Sequence, residues 1–282
     1  MLASSYHIAP MVKNNPLGRS KKDGLPAVIA LDLDGTLLQS DGSVSARTLA
    51  VIRQCARLGM RPVIATARPP RSVKACLPAA FPPGPWICYN GAEVYEAGRR
   101  IIQNALSPEL AREVIATIRR LAPAASISFE MDDELISSCP LEGPWIHRVA
   151  PDLYREVTKP VAKILFGNTP LEIVEAIRAK LPCDCRVLTF NDGDLPLADI
   201  VAPGVSKAWA LRELLSRYDM TMADVIAFGD DSIDIEMLCE SGLGVAMANA
   251  LPQVKAAADY VTLSNDADGV AEALERLICN HR

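Results

Sequence analysis

The segment Ala27-Val28-Ile29-Ala30-Leu31-Asp32-Leu33-Asp34-Gly35-Thr36 decides the fold. Its first five residues form a short apolar run, which is typical of a parallel strand buried on both faces. Residues two apart in an extended chain point the same way, so the carboxylates of Asp32 and Asp34 are predicted to face one side. An Asp-Gly turn would also explain Asp34, but a carboxylate placed directly against a buried strand is costly without a partner. This strand end is therefore a candidate site, because chemistry in open α/β sheets lies beyond the carboxyl ends of the strands.

Strands and helices alternate on both sides of this segment. Before residue 105 the patterns predict a helix over 45–58 that ends at Gly59 and has Leu49, Ile52, Cys55 and Leu58 on one face. They further predict a strand over 61–66, a proline-marked loop-rich stretch and a strand over 86–89. From residue 205 they predict helices over 207–218, 232–240, 251–258 and 268–278, and strands over 225–228, 244–246 and 260–262. The alternation predicts an α/β fold with a doubly wound parallel sheet.

The middle third of the chain has a different pattern. Helices are predicted from Pro108 to Leu121 and from a Thr169–Glu172 capping box to about Leu181, with strands near 126–129, 134–137, 161–166 and 186–190. We interpret residues 105–198 as an inserted α+β cap domain, residues 26–104 and 199–282 as the core, and residues 1–25 as a disordered extension. Asn90-Gly91 is interpreted as a turn rather than a hinge contact. The acidic residues between Glu130 and Glu134 are interpreted as a solvated loop rather than as substrate contacts.

Composition excludes several classes of protein. The chain has 282 residues, of which half are hydrophobic and 22% charged, so it can build a core and is not globally disordered. A net charge of −5 argues against a nucleic-acid partner. An apolar run long enough to span a membrane is absent from the sequence, which argues against a membrane partner. The eight cysteines form no Cys-x-x-Cys pair, and several of them, Cys55, Cys88 and Cys239, lie in apolar segments where a reduced thiol is expected in the core. We therefore expect a reducing, cytoplasmic location.

A second group of acids follows the predicted strand over 225–228, in Gly229-Asp230-Asp231-Ser232-Ile233-Asp234. Asp231 and Ser232 are explained by capping of the helix that follows. Asp230 and Asp234 are four residues apart and can address one point. Combined with Asp32 and Asp34, these acids predict a hard, oxygen-ligated cation, with Mg²⁺ as the default.

Lys207 and Thr66 complete the candidate site. Ser206 is predicted to cap a helix, which places Lys207 in the first turn, against the helix dipole. A lysine beside free backbone amides at a helix start is suited to a phosphate, although a lone lysine is more often a surface residue. Thr66 ends a predicted strand, where its hydroxyl could contact the same anion or simply terminate the strand.

These motifs, in this order, resemble the haloacid dehalogenase (HAD) superfamily of phosphohydrolases, in its Cof-like branch with a type IIB cap. The resemblance extends from about residue 27 to 278. Its motifs are Asp32-Leu33-Asp34-Gly35-Thr36, Ala65-Thr66-Ala67-Arg68, Gly204-Val205-Ser206-Lys207 and Gly229-Asp230 through Asp234.

The resemblance implies a role for each candidate residue. Asp32 would be the nucleophile, and Asp34 would protonate the leaving group and then accept a proton from water. Mg²⁺ would bind the carboxylates of Asp32 and Asp230 and the carbonyl of Asp34, with Asp234 as a ligand or as support. The phosphoryl oxygens would be held by Thr66, Ala67 and Lys207.

Three positions depart from the family pattern. Ala67 and Ala208 replace glycines that usually follow the threonine and the lysine. Ile233 replaces an asparagine that contributes to phosphate binding, and isoleucine cannot donate a hydrogen bond. These departures predict either weakened phosphate affinity or a different arrangement of the site, in which Asp231 or Ser232 could partly substitute.

The sequence as a whole predicts a Mg²⁺-dependent phosphatase of small phosphorylated metabolites, with sugar phosphates as the first expectation. The insert is expected to select the substrate. Two alternatives stay open: a catalytically weak phosphometabolite-binding regulator, which Ile233 and Ala67 would suit, and a phosphomutase. The predicted partner is a small phosphorylated metabolite, and a monomer or weak homodimer is expected.

Overall fold

The computed structural model describes residues 25–141, 146–182, 184–190 and 197–279. The chain divides into two compact units. The first contains the described residues up to Arg61 and from Ala223 onward, and the second contains Pro62–Met222. The predicted extension over 1–25 lies outside the described residues except for Leu25.

The secondary structure follows the predicted alternation with several additions. The strands are β1 (Val28–Leu31), β2 (Arg61–Ala65), β3 (Trp86–Cys88), β4 (Glu93–Glu96), β5 (Arg99–Gln103), β6 (Ser126–Met131), β7 (Glu134–Ser137), β8 (Arg148–Val149), β9 (Lys163–Gly167), β10 (Arg186–Phe190), β11 (Leu197–Val201), β12 (Val225–Gly229), β13 (Leu243–Ala246) and β14 (Tyr260–Val261). The helices are α1 (Ala46–Arg57), α2 (Pro70–Cys76), α3 (Pro108–Leu121), α4 (Leu153–Glu156), α5 (Leu171–Arg178), α6 (Lys207–Ser216), α7 (Ile235–Glu240), α8 (Pro252–Ala257) and α9 (Gly269–Cys279).

In the first unit parallel strands follow one another in the order β14-β13-β12-β1. All four residues of β1 are buried, as its continuous apolar run predicts. Helix α1 begins after its N-cap Ser45, whose side chain accepts a hydrogen bond from the Thr48 amide, and it packs against α9. The predicted face of α1 is partly wrong, because Leu58 is exposed and the buried residues are Thr48, Val51, Ile52 and Cys55.

The second unit contains two groups of strands. Strand β2 pairs with β3 in parallel, and β3, β4 and β5 continue as antiparallel neighbours. A separate six-stranded sheet has the order β10-β11-β9-β6-β7-β8 and is mixed, since only β7 and β8 pair in parallel. The α/β class with an inserted mixed sheet is therefore confirmed. The insert limits at residues 105 and 198 stay a prediction, and β11 extends past the second of them.

Several local predictions are wrong for identifiable reasons. The proline-marked stretch contains α2, because Pro70 occupies the first turn of a helix, where its missing N–H costs nothing. The Thr169 capping box does not form. The Thr169 hydroxyl donates instead to the Gly167 carbonyl, and α5 begins after Pro170 without a side-chain cap. Cys239, predicted to lie in the core, is exposed, whereas Cys55 and Cys88 are buried.

Glycine conformation fixes the end of α1. Gly59 has a φ of +93°, a left-handed conformation that terminates a helix, as the sequence predicts. Within the described part of the chain, no helix is both long and apolar enough to span a bilayer.

Candidate active site

The loop after β1 folds back on its own start. The Leu37 amide donates to the Asp32 carbonyl and the Leu38 amide to the Leu33 carbonyl, at 3.2 and 2.8 Å. The strand ends at Leu31, so the alternation of an extended chain does not continue to Asp34. Asp32 is buried and Asp34 is exposed.

The second acidic motif forms a tight turn after β12. Asp231 caps a 3₁₀ turn over Ser232–Asp234, and Asp231 and Asp234 form a reciprocal capping box. The Asp234 Oδ2 atom accepts from the amides of Asp230 and Asp231, at 3.1 Å each. The predicted capping role of Asp231 is confirmed. Asp234 is also a capping residue, so capping explains two of the three acids in this motif.

The two acidic motifs come together in the first unit. Carboxylate oxygens of Asp32, Asp230 and Asp234 all lie within 4.8 Å of one another. Asp32 and Asp234 are buried, and Asp230 is half-buried. The spacing prediction for Asp230 and Asp234 is therefore confirmed, and the side chain of Asp34 is not part of this cluster.

This donor set fits a hard divalent cation. Carboxylate oxygens are the ligands that Mg²⁺ prefers. Unit charges 4.8 Å apart repel each other by about 3 kcal/mol per pair at an effective dielectric constant of 20. A divalent ion among the three oxygens would convert this repulsion into attraction, so the acidic cluster could bind a metal ion.

Two residues without a predicted role shape the acidic cluster. The Thr36 hydroxyl donates to Asp230 Oδ1 at 2.7 Å. The Asn249 side-chain amide donates to the Gly35 carbonyl at 2.7 Å and fixes the loop that follows Asp34. Gly35 has a φ of +73°, and a Cβ there would lie 2.3 Å from Asp230 Oδ2, so only glycine fits. Thr36 lies within the first quoted motif and Asn249 lies outside all four, and sequence spacing assigns neither residue a partner.

The second unit holds the other candidate residues around one turn. Thr66 follows β2 and is buried, and its hydroxyl accepts from the Arg68 amide at 3.1 Å. The Thr66 carbonyl accepts from the Asn90 amide at 3.1 Å. Asn90 lies in a left-handed conformation, with a φ of 60°, in the turn that joins antiparallel strands β3 and β4. The turn interpretation of Asn90-Gly91 is confirmed.

Lys207 lies against the same turn. Ser206 caps α6 as predicted, accepting from the Trp209 amide at 3.0 Å, and Lys207 is buried in the first helical turn. The backbone of Gly91 approaches this helix start so closely that a Cβ there would lie 2.2 Å from the Ser206 carbonyl oxygen. The same turn thus contacts both Thr66, through the Asn90 backbone amide, and the helix start that carries Lys207, through Gly91.

One prediction for the insert is wrong. Glu130 is buried on β6 rather than solvated in a loop, and its carboxylate forms a two-point ion pair with Arg71 at 2.7 and 2.8 Å. Arg71 also contacts Asp133, at 3.1 Å, and the Tyr89 hydroxyl lies 3.4 to 3.5 Å from both acids. Burial raises the pKa of Tyr89, and the carboxylates of Glu130 and Asp133 raise it further. A connected polar cluster, defined here as Arg71, Tyr89, Glu130 and Asp133, therefore joins α2 and the turn after β3 to the inserted sheet.

Comparison with known proteins agrees with this arrangement. Residues 29–274 match the family described as haloacid dehalogenase-like hydrolase. The chain is 30% identical to the Bacillus subtilis 5-amino-6-(5-phospho-D-ribitylamino)uracil phosphatase YitU, over 89% of this chain and 97% of that protein. A haloacid dehalogenase-like hydrolase from Bacteroides thetaiotaomicron is 31% identical, with a TM-score of 0.76 over 89% of this chain and 99% of that one. The subclass IIB sugar phosphatase BT4131, at 22% identity, shares the fold, with a TM-score of 0.73 over 88% and 97% of the two chains.

The fold and the acidic cluster define a hydrolase with an α/β core and an inserted cap. The chain belongs to the haloacid dehalogenase superfamily, in its Cof-like branch with a type IIB cap. It is a phosphoric monoester hydrolase that acts on small phosphorylated metabolites.

Proposed function

We propose that this phosphatase uses Mg²⁺ and hydrolyses phosphorylated sugars or polyols through an aspartyl-phosphate on Asp32. The observation that carries the proposal is the approach of Asp32, Asp230 and Asp234 to within 4.8 Å. A carboxylate held in such a group is available both to a metal ion and to a phosphorus atom in front of it.

In the proposed reaction Asp32 and Asp34 divide the chemistry. An Asp32 oxygen attacks phosphorus while the bond to the leaving oxygen breaks, and Asp34 gives that oxygen a proton. Water then attacks the phosphorus of the aspartyl-phosphate, Asp34 takes up the proton, and the Asp32–phosphorus bond breaks. The different burial of the two side chains suits these roles, since exposed Asp34 can exchange protons with solvent.

The metal ligands in this proposal are the carboxylates of Asp32, Asp230 and Asp234 and the carbonyl of Asp34. When bound, Mg²⁺ would offset the charge of the carboxylates and of the phosphate. Thr36 holds Asp230 in place, and the backbone amides of Asp230 and Asp231 hold Asp234, so these carboxylates are oriented by the protein itself. Preorganised ligands of this kind are typical of functional metal sites.

Phosphoryl oxygens are proposed to contact the Thr66 hydroxyl, the Ala67 amide and the Lys207 ammonium group. Burial of Lys207 at the start of α6 supports this role, because a buried cation at a helix N-terminus attracts a dianion strongly. The methyl group of Ala67 replaces the hydrogen of a glycine at the point where backbone would approach phosphate.

The polar cluster supports a hydroxylated leaving group. Glu130, Asp133 and the Tyr89 hydroxyl offer acceptors and a donor, and Arg71 orients both acids. Hydroxyl groups of the leaving group would add hydrogen bonds to these carboxylates, because an ionised carboxylate has about four acceptor positions. The relative YitU is named for a phosphoribityl compound, which carries a phosphorylated polyol chain and fits this chemistry.

A metabolite panel tests the proposal. We expect release of inorganic phosphate from sugar and polyol phosphates in the presence of Mg²⁺, and loss of release with EDTA. Asp32→Asn is the matched control, because it keeps the shape and removes the nucleophile. Equal rates for Asp32→Asn and the wild-type protein would contradict the proposal.

The presence of Ile233 favours a second candidate function, that of a weakly catalytic sensor that binds a phosphometabolite. Under this hypothesis phosphate esters bind while turnover is negligible, so robust turnover would exclude it. A phosphomutase would instead retain the phosphoryl group on the substrate, and inorganic phosphate as sole product would exclude that reaction. The monomeric or weakly dimeric state and the cytoplasmic location stay predictions.

A further inference from the structure

A buried ion pair lies where the inserted sheet rejoins the rest of the second unit. Lys163 on β9 and Asp199 on β11 are in contact, with Nζ 2.7 Å from Oδ2. Asp199 is the register partner of Leu165, two residues from Lys163, so both side chains lie on one face of the sheet. Their side chains are only 9% and 2% exposed.

The ion pair reaches two further segments. The Lys163 ammonium group also donates to the Ala67 carbonyl, at 3.3 Å. Asp199 Oδ2 also accepts from the Asn90 side-chain amide, at 3.2 Å. Both segments belong to the phosphate-binding region of the proposed function, because Ala67 follows Thr66 directly and the backbone amide of Asn90 donates to the Thr66 carbonyl.

Stability alone does not explain this arrangement. A buried ion pair is often no more stable than apolar residues of the same volume, since desolvation offsets the attraction. The cluster also leaves Asn90 Oδ1 and Asp199 Oδ1 buried without a hydrogen-bond partner among the described residues, which is a further cost. Buried polar groups kept at a cost are common where a functional segment must be held in one position.

We propose that Lys163 and Asp199 are positioning residues for hydrolysis. From the inserted sheet they hold the Ala67 carbonyl and the Asn90 side chain, and thereby orient Thr66 and the Ala67 amide toward the phosphoryl group. This inference rests on the proposed phosphate-binding role of Thr66 and Ala67. It assigns the inserted sheet a part in binding the phosphoryl group itself, beyond selection of the leaving group.

The test compares the variants Lys163→Met, Asp199→Asn and Asn90→Gly with the wild-type protein. Glycine at position 90 keeps the left-handed backbone and removes only the side chain. Lys159→Met is the matched control, because Lys159 forms an exposed ion pair with Asp132 in the same unit, at 2.6 Å. The readouts are kcat and KM with p-nitrophenyl phosphate and a hexose phosphate, and binding of inorganic phosphate by calorimetry in Mg²⁺.

We expect kcat/KM of Lys163→Met to fall by about 10- to 100-fold, by the same factor with both esters, because a small displacement of a binding loop has effects of this size. Phosphate binding weakens in parallel, and Lys159→Met behaves like the wild-type protein. A loss confined to one ester, or unchanged phosphate binding in folded Lys163→Met, would overturn the inference.

A double variant separates positioning from folding. Lys163→Met combined with Asp199→Leu replaces the ion pair with an apolar pair, which removes the unpaired charge that either single substitution leaves. We expect thermal stability near that of the wild-type protein, with phosphate binding still weakened. Recovery of full phosphate binding would assign the pair a structural role only. If no protein in the series, wild type included, hydrolyses either ester, the proposed function fails, and phosphate binding still tests the positioning role. Should Lys163→Met fail to fold, Asn90→Gly and the double variant carry the test.

Discussion

At the scale of single residues, the aspartates of the second acidic motif have different roles because their surroundings differ. Asp234 is fully buried and is held by two backbone amides, whereas Asp230 is half-buried and receives one hydroxyl hydrogen bond from Thr36. Asp231, next to both, is used in capping. In the cluster with Asp32, the Asp234 carboxylate is therefore held by backbone amides and the Asp230 carboxylate by the side chain of Thr36.

Ile233 gives the first prediction. It lies half-buried in the 3₁₀ turn between Asp231 and Asp234, where the family motif carries asparagine. Restoring the amide in Ile233→Asn adds a donor to a charged acceptor, so we expect phosphate affinity to rise by about five- to tenfold. The inhibition constant of inorganic phosphate measures this change. Ile233→Val is the control, and equal inhibition constants for both variants would contradict the assigned role of position 233.

Single residues also show which parts of the site the sequence could predict. Asp32 was identified because a charged residue adjoins an apolar run. The same pattern occurs at Lys163 in Val161-Ala162-Lys163-Ile164-Leu165 and at Asp199 in Leu197-Ala198-Asp199-Ile200-Val201. Both buried residues could therefore have been predicted from the sequence. Glu130 was misjudged because three acids that follow it closely suggested a solvated loop, and its partner Arg71 is 59 residues away.

At the scale of elements, the turn after β3 organises the second unit. In this turn the Asn90 backbone amide donates to the Thr66 carbonyl, and the Gly91 backbone packs against the start of α6. This arrangement depends on Gly91, whose φ is +107° and whose missing Cβ makes room for the Ser206 carbonyl. A short turn thereby sets the spacing between two candidate phosphate ligands, Thr66 and Lys207.

The substitution Gly91→Ala is therefore predicted to destabilise the protein strongly. Backbone strain and the contact with Ser206 together should lower the free energy of unfolding by about 2–4 kcal/mol, measured by urea denaturation. Gly98→Ala is the matched control, because Gly98 also has a positive φ, of 74°, but a Cβ there meets nothing within 4 Å. We expect the control to lose only about 1–2 kcal/mol. Equal losses for the two variants would contradict a role for close packing at Gly91.

Element boundaries mark the limit of prediction from the sequence. The alternation of strands and helices was predictable because continuous apolar runs, the helix cap Ser206 and the helix end Gly59 act through local interactions. Helix α2 and the β4–β5 hairpin were missed. The prolines around α2 suggested a loop instead of a helix, and the polar pair Arg99-Arg100 begins β5, the second strand of the hairpin, so no apolar run marks it. The Thr169 capping box failed because the hydroxyl found a closer acceptor, the Gly167 carbonyl, that no sequence pattern reveals.

At the scale of the whole molecule, contacts distant in sequence determine the response to pH. Tyr89 is buried and its hydroxyl faces Glu130 and Asp133, and these surroundings raise its pKa above the usual value of 10.0. A tyrosine in the unfolded chain ionises near that value, so the unfolded state loses its proton first as the pH rises. The contribution of neutral Tyr89 to stability is therefore fully present below pH 10.0 and is lost progressively above it.

Tyr89→Phe tests this dependence. We expect the melting temperature of the wild-type protein to fall more steeply than that of the variant between about pH 10 and 11, because phenylalanine cannot ionise. Tyr154→Phe, which alters an exposed ring, serves as the control and should keep the wild-type slope. Parallel slopes for wild type and Tyr89→Phe would show that Tyr89 does not govern alkaline stability.

The proposed hydrolysis depends on a divalent ion shared by carboxylates from two distant parts of the chain. The most direct measurement is turnover of p-nitrophenyl phosphate across a Mg²⁺ titration for the wild-type protein, Asp32→Asn and Asp230→Asn. We predict that EDTA abolishes and Mg²⁺ restores wild-type turnover, that Asp230→Asn requires more Mg²⁺, and that Asp32→Asn loses at least about a thousandfold in kcat at any Mg²⁺ concentration. Turnover that is unaffected by EDTA, or an Asp32→Asn variant as active as the wild-type protein, would contradict the account.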